Sequence, residues 1–139
     1  MDIFNEFYVN RKMADEGVWE QIGDAKVKVA STQSTIYQKR LMEEVRKRGL
    51  FDPNTEGHQE KMSELVLDLF AECILLDWEN VQYQGKSLDY NHGNARMALK
   101  VDAFFGLING IALHKARYRE AMVEKAEKNL PKRSAGKSK

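Results

Sequence analysis

Residues 62–97 read MSELVLDLFAECILLDWENVQYQGKSLDYNHGNARM, and the rest of the chain is arranged around this stretch. Its first half repeats apolar residues at the spacing of three and four that marks one face of a helix. The residues on that face are Met62, Leu65, Val66, Leu69, Cys73 and Leu76. This pattern predicts a long helix from about Glu56 to Trp78 or Val81. Because its apolar arc is too wide for one neighbour to cover, we expect it to be the central helix of the fold.

Asp77 does not fit this helix. A continued helix would turn its carboxylate into the apolar arc, and burying an unpaired carboxylate is expensive. We therefore expect the helix to end or kink near Leu76, or Asp77 to be paired or to cap a helix end. The polar residues 84–86 predict a turn. Asn91 then predicts the N-cap of a short helix that ends near Lys100.

A second pattern lies upstream, where residues 17–30 read GVWEQIGDAKVKVA. Val27 and Val29 alternate with lysines around a glycine-containing turn, which is the period-two pattern of a half-exposed β-hairpin. An isolated hairpin is only marginally stable in water. We therefore expect this hairpin to pack on the helices through Trp19, Val27 and Val29.

Two further helices complete the predicted fold. One spans Ser31 to Gly49, with Ser31, Thr32 or Ser34 as its N-cap, and the last begins near Asp102. The fold class predicted from these elements is mainly α, a small helical domain of about four helices with one N-terminal β-hairpin packed on it. We expect residues 1–130 to form this single domain. The sequence PKRSAGKSK at 131–139 has the composition of a basic, flexible tail.

The last predicted helix carries the candidate partner-binding surface. Phenylalanines and isoleucines share one of its faces, and two glycines lie four residues apart on the opposite side. A glycine inside a helix costs about 1 kcal/mol relative to alanine, so the pair favours close approach of another backbone, either internal or from a partner. Self-association into a homo-oligomer is one use of this surface. The candidate residues are Phe104, Phe105, Ile108, Ile111, Gly106 and Gly110.

Composition narrows the classes of function. The 139 residues include 22 Lys and Arg against 21 Asp and Glu, so no global field directs the chain to nucleic acid. Cys73 is the only cysteine and is expected to be a small buried hydrophobe. The sequence contains no phosphate-cradling glycine loop and no paired histidine or cysteine motif, so we predict no catalytic, cofactor or metal residues. It shows no signal peptide and no membrane-spanning run, which leads us to expect a soluble cytoplasmic protein.

One alternative is a small nucleic-acid-binding adaptor. Five of the residues from Lys39 to Arg48 are basic, and the tail at 131–139 adds further cations. The same helix side also reads as an ordinary solvated face balanced by Glu43 and Glu44, which makes nucleic acid the weaker expectation.

Another alternative is an acid–base group. Asp77, Glu79 and Asp89 could gather around His92, as general acid–base chemistry would need. Helix-capping and surface positions explain the same four residues, and the sequence offers no nucleophile or metal set to work with them.

Three blocks of the chain resemble the tail assembly chaperones of long-tailed phages and prophages. The first is the GVWEQIGDAKVKVA hairpin at residues 17–30. The second is ILLDWENV at 74–81, which Gly85 and then LDYNHGNA at 88–95 follow. The third is the closing amphipathic helix with its lysine-rich tail. The resemblance covers nearly the whole chain in architecture.

The resemblance implies a non-enzymatic role. Proteins of that family bind the tape measure protein and keep its long, helical, aggregation-prone chain soluble while the tail tube polymerises around it. The implied partner is therefore the tape measure protein, with the tail tube protein as a second candidate. The implied location is the host cytoplasm, and the mature virion would not contain the protein. The family has no catalytic residues to carry over.

Overall fold

The computed structural model describes residues 1–3, 9–114 and 117–118. The predicted tail and the end of the closing helix, from residue 119 onward, lie outside these residues. The elements described in full are α1 (Arg11–Glu16), β1 (Val18–Ile22), β2 (Ala25–Val29), α2 (Thr35–Lys47), α3 (His58–Leu69), a π-helix (Phe70–Ile74), β3 (Leu75–Glu79), β4 (Gln82–Tyr83), β5 (Lys86–Ser87), α4 (His92–Leu99) and α5 (Asp102–Leu113).

The predicted hairpin is confirmed, and it forms part of a larger sheet. β2 is the central strand of a three-stranded antiparallel sheet with β1 and β3 at its edges. Gly23 and Asp24 close the β1–β2 loop, and Gly23 has a φ of 60°. A positive φ at the first loop position is what a type II′ hairpin turn requires.

The predicted central helix is wrong beyond Ile74, and its last turn, after Leu69, is not an α-helix. There α3 gives way to the π-helix, and the backbone becomes extended at Leu75. The chain then pairs with β2 as β3, while the helical part ends at Ile74, two residues before the expected point near Leu76. The fold is therefore a mixed α and β architecture, in which the predicted helices and hairpin are present but the sheet has a third strand.

The strand also explains the misfit at Asp77. Asp77 lies opposite Lys28 in the sheet, whereas its neighbour Trp78 lies opposite Val27 and is buried. Since side chains alternate across a strand, Asp77 faces away from the core. Its carboxylate also accepts a hydrogen bond from the backbone N–H of Trp78 at 2.8 Å.

The same alternation corrects the expectation for Trp19. Val27 and Val29 are buried as predicted, but Trp19 pairs with Lys28 on the outer face and is 42% exposed. The hairpin therefore packs on the core through β2. Tyr118, which follows α5 in the sequence, lies against the hairpin, and its hydroxyl donates to the carbonyl of Val29 at 3.0 Å. Burial raises the pKa of Tyr118, which keeps this donor protonated.

The predicted caps of two helices are confirmed. The side chain of Ser34 accepts from the backbone N–H of Tyr37 at the start of α2, and the side chain of Asn91 accepts from Asn94 at the start of α4. Because these bonds are made within a single turn, the sequence alone can specify them. Within the described residues, no helix combines the length and the apolar character that crossing a membrane would need.

Candidate functional site

The six candidate partner-binding residues of α5 do not form one surface. Ile108 and Ile111 are 0% and 6% exposed and belong to the core. Phe104 and Phe105 are partly buried and pack against that core. Gly106 and Gly110 are exposed on the other side of the helix.

The exposed side of α5 is apolar as well. We call its members, Ala103, Gly106, Leu107, Gly110 and Leu113, the α5 outer face. Leu107 is 41% exposed and Leu113 is 56% exposed. A Cβ atom placed on either glycine would meet no heavy atom within 4 Å in the described part of the chain. The close backbone approach expected from these glycines is therefore not made by the residues that the structure describes.

A groove of about 1040 Å³ opens between α3 and the corner where α4 meets α5. Its apolar side chains come from all three helices, and its rim carries polar and charged groups of both signs. The apolar lining residues are Met62, Val66, Leu67, Leu99 and Phe105, and the others are His58, Gln59, Ser63, Glu64, Lys100 and Asp102. We call this the α3–α5 groove. Of the six residues predicted on α5, Phe105 alone lines it.

Ion pairs and ring contacts hold the walls of the α3–α5 groove together. Arg96 of α4 donates to the carboxylates of Glu64 and Asp68 on α3, and these bonds raise the pKa of the guanidinium. The ring of Phe105 lies 4.8 Å from that of Phe70, centroid to centroid. A docking surface gains affinity when its walls are ordered before the partner arrives.

The basic side of α2 is largely neutralised by acids. Arg40 donates to Glu72 at 2.8 Å and to Glu44 at 3.2 Å. Lys47 and Arg48 also pair with Glu44, at 3.5 Å and 3.1 Å. The hydrogen bond from Arg40 is the main reason why the pKa of Glu44 is lowered, so this carboxylate stays charged among the cations. Such a network does not favour the phosphate-binding alternative, because three of the five cations already have acidic partners.

The acid–base alternative finds no support in the geometry. Asp77 and Glu79 lie opposite Lys28 and Lys26 on the outer face of the sheet. His92 is exposed in the first turn of α4, and no hydrogen bond joins it to either acid in the described structure. Among the described residues, no group of three histidines, cysteines or acids is arranged to hold a metal ion.

Cys73 has the environment of a structural thiol. It lies in the π-helix, is 5% exposed, and burial raises its pKa to about 11, with the charge of Glu72 adding to the effect. Since the thiolate is the reactive species, we expect the folded protein to react very slowly with a chromogenic disulfide reagent at pH 8. Unfolding in guanidinium should restore the rate of a free thiol. Equal rates in the two states would contradict this assignment.

The sequence does not reveal the α3–α5 groove, because Met62 and Val66 have the same helical spacing as the core residues of α3. The available signal was the width of the apolar arc on α3, which exceeds what the neighbouring helices cover. Periodicity indicates that a helix face is apolar, but it does not indicate which part of that face stays open.

Comparison with known proteins identifies the family of this chain. Residues 23–129 match the model of a family described as YdaY prophage protein. No curated protein and no solved structure matches the chain. The family match extends over most of the chain, from the hairpin turn through the α3–α5 groove and α5. It confirms the phage or prophage origin expected from the resemblance. The chain belongs to the YdaY prophage protein family.

Proposed function

We propose that this prophage protein is a non-enzymatic tail assembly chaperone, which binds the tape measure protein and keeps it soluble while the tail tube assembles. The observation that carries the proposal is the α3–α5 groove, whose apolar residues lie between helices and under a polar rim. Amphipathic helices dock by laying their apolar face into grooves of this kind. The prophage family and the sequence resemblance support the same role.

The size of the α3–α5 groove suits a repetitive helical client. Its wall on α3 runs from His58 to Leu67, a length of about 14 Å or roughly two and a half helical turns. Each chaperone copy would therefore hold one short segment of a long client helix. Binding of this kind is weak at each site, and it permits displacement when tube subunits polymerise. The chaperone acts in the host cytoplasm and is absent from the mature virion.

A charge placed in the α3–α5 groove should strongly weaken binding of the tape measure protein. Met62 is half-buried among the lining residues, so in Met62→Lys a bound apolar helix would have to desolvate an ammonium group. We expect at least a tenfold loss of affinity, equivalent to about 1.4 kcal/mol. Affinity can be measured by calorimetry with a purified tape measure segment from the same prophage. Co-expression with the full tape measure protein reports its soluble fraction.

A methionine outside the groove provides the matched control. Met97 lies on α4, is 39% exposed and does not line the groove, so Met97→Lys should bind as well as the unmodified chain. Circular dichroism of both variants checks that they are folded. The proposal fails if the tape measure protein stays insoluble with the unmodified chain present and no complex elutes. Full binding by a folded Met62→Lys variant would remove the groove as the binding surface.

A further inference from the structure

The composition of α5 is unusual for a helix that lies at the surface. Between Asp102 and His114 its sequence is AFFGLINGIAL, in which Asn109 is the only polar side chain. One side of the helix packs on the core, and the α5 outer face remains exposed. At 100° per residue, the five residues of that face lie within an arc of about 120°. A helix that is apolar on every side is normally covered on every side.

The shape of the α5 outer face suits another helix. Gly106 and Gly110 leave a flat strip along its middle, and Leu107 and Leu113 border that strip. Each glycine costs about 1 kcal/mol of helix stability relative to alanine. Glycines spaced in this way permit close backbone approach between paired helices. Close approach of a second helix along this strip would explain why α5 carries two destabilising glycines.

The pattern along α5 is complementary to itself when two copies run antiparallel. If two α5 helices cross midway between the glycines, Gly106 of one copy lies level with Gly110 of the other. Ala103 then lies level with Leu113, so a small side chain meets a large one. Asp102 comes to the same end as His114 of the other copy, and the helix dipoles oppose each other favourably. A parallel pair would instead bring Asp102 level with Asp102 and Leu113 level with Leu113.

We propose that the α5 outer face is the contact between two copies of this chain, paired antiparallel about a two-fold axis. Isologous contacts of this type need a surface that complements itself, as the arrangement along α5 does. The glycine strip is separate from the α3–α5 groove, because Phe105 faces the groove while the glycines lie on the other side of the helix. Asp102, in the first turn of α5, borders both surfaces. The proposal goes beyond the chaperone function and does not depend on it.

The small size of the contact sets the expected strength of the dimer. One helix face buries less than the roughly 800 Å² per partner of a standard interface. We therefore expect a reversible dimer with a dissociation constant between about 1 μM and about 1 mM. Copies that are bound side by side on one long client would meet at a much higher effective concentration.

Sedimentation velocity over a concentration series up to about 1 mM tests this expectation directly. The unmodified chain should shift from monomer to dimer as concentration rises, and Gly110→Arg should remain monomeric throughout. The more informative change is Gly110→Ala. Its new methyl group meets no described atom within 4 Å, so monomer stability should rise, by up to about 1 kcal/mol. The same methyl group separates the helices and should weaken the dimer several-fold.

Gly110→Ala should thus raise the stability of the monomer while it weakens the dimer. This combination excludes misfolding as the cause of the weaker dimer. Gly93→Ala is the matched control, since Gly93 lies within α4 and, among the described atoms, its Cβ would meet only the side chain of Asn91, at 3.5 Å. This variant should dimerise like the unmodified chain. A chain that stays monomeric at every concentration overturns the proposal, and so does a dimer that survives Gly110→Arg.

The antiparallel orientation has its own test by charge exchange at low salt. Asp102→Lys and His114→Glu should each weaken the dimer at pH 6, and the double variant should recover most of the lost affinity. Recovery follows only if the two positions meet across the contact. A double variant that is weaker than either single one would overturn the antiparallel arrangement.

Discussion

Replacing Phe70 with alanine is expected to lower the free energy of unfolding by about 3–5 kcal/mol. Phe70 is the first residue of the π-helix and is 2% exposed. Its ring makes an edge contact with Tyr37 of α2, at 5.7 Å between centroids, and a tilted contact with Phe105 of α5 at 4.8 Å. Removing the ring leaves a cavity where three elements meet, and neither partner ring can fill it without leaving its own contacts.

Urea denaturation of the two proteins measures this loss. Phe51→Ala is the control, because Phe51 is 57% exposed in the loop before α3 and its removal should change the free energy of unfolding by less than about 0.5 kcal/mol. Because both variants replace phenylalanine with alanine, the difference between their free energies of unfolding reports the effect of burial. If Phe70→Ala were as mild as Phe51→Ala, the aromatic contact would not be the centre of the core.

The elements that sequence reasoning predicted correctly are specified by neighbouring residues. Ser34 and Asn91 cap their helices through bonds that span three residues, and Gly23 sets the hairpin turn by its own φ. β3 is different. Its apolar run fits a buried strand as well as a helix, and the choice depends on β2, about fifty residues earlier in the chain. The apolar run of β3 by itself does not predict its pairing with β2.

The candidate site was predictable only in part, for a related reason. The sequence pattern predicts that α5 is apolar and contains two glycines that need an explanation. It does not predict which side of the helix meets the core, because Ile108 and Leu107 lie on different sides and are both apolar. The α3–α5 groove is lined by Met62 of α3 and Phe105 of α5, which are distant in sequence. Such a surface depends on packing distances, which the order of residues does not give.

Gly17→Ala is expected to lower the free energy of unfolding by about 2–5 kcal/mol. Gly17 joins α1 to β1 with φ 83° and ψ 166°, a backbone conformation that is essentially restricted to glycine. The residue also lies against the sheet. An added Cβ would be 3.0 Å from the carbonyl carbon and oxygen of Val29 and 3.1 Å from Cδ1 of Leu76. Strain in the backbone and overlap with a neighbouring strand therefore act together.

The neighbours of Gly17 explain why relief is difficult. The β2–β3 register shifts between Lys28 and Val29, and Leu76 is the residue of β3 left without a partner there. Moving Val29 to accommodate a methyl group would disturb this irregular pairing and the core that Val29 enters with 0% exposure. The first block of the resemblance, residues 17–30, begins at Gly17. Only glycine fits the backbone conformation and the space at this junction between α1 and β1.

Gly23→Ala separates the two causes, because Gly23 also has a positive φ, of 60°, but a Cβ there would meet no described atom within 4 Å. It should show only the backbone penalty for a non-glycine residue at a positive φ, about 1–3 kcal/mol. Both variants can be compared by urea denaturation, with the midpoint and slope fitted together. Equal losses would mean that the contact with Val29 relaxes freely. A larger loss for Gly17→Ala would show that the join between α1 and the sheet is tightly packed, as the contacts of Gly17 require.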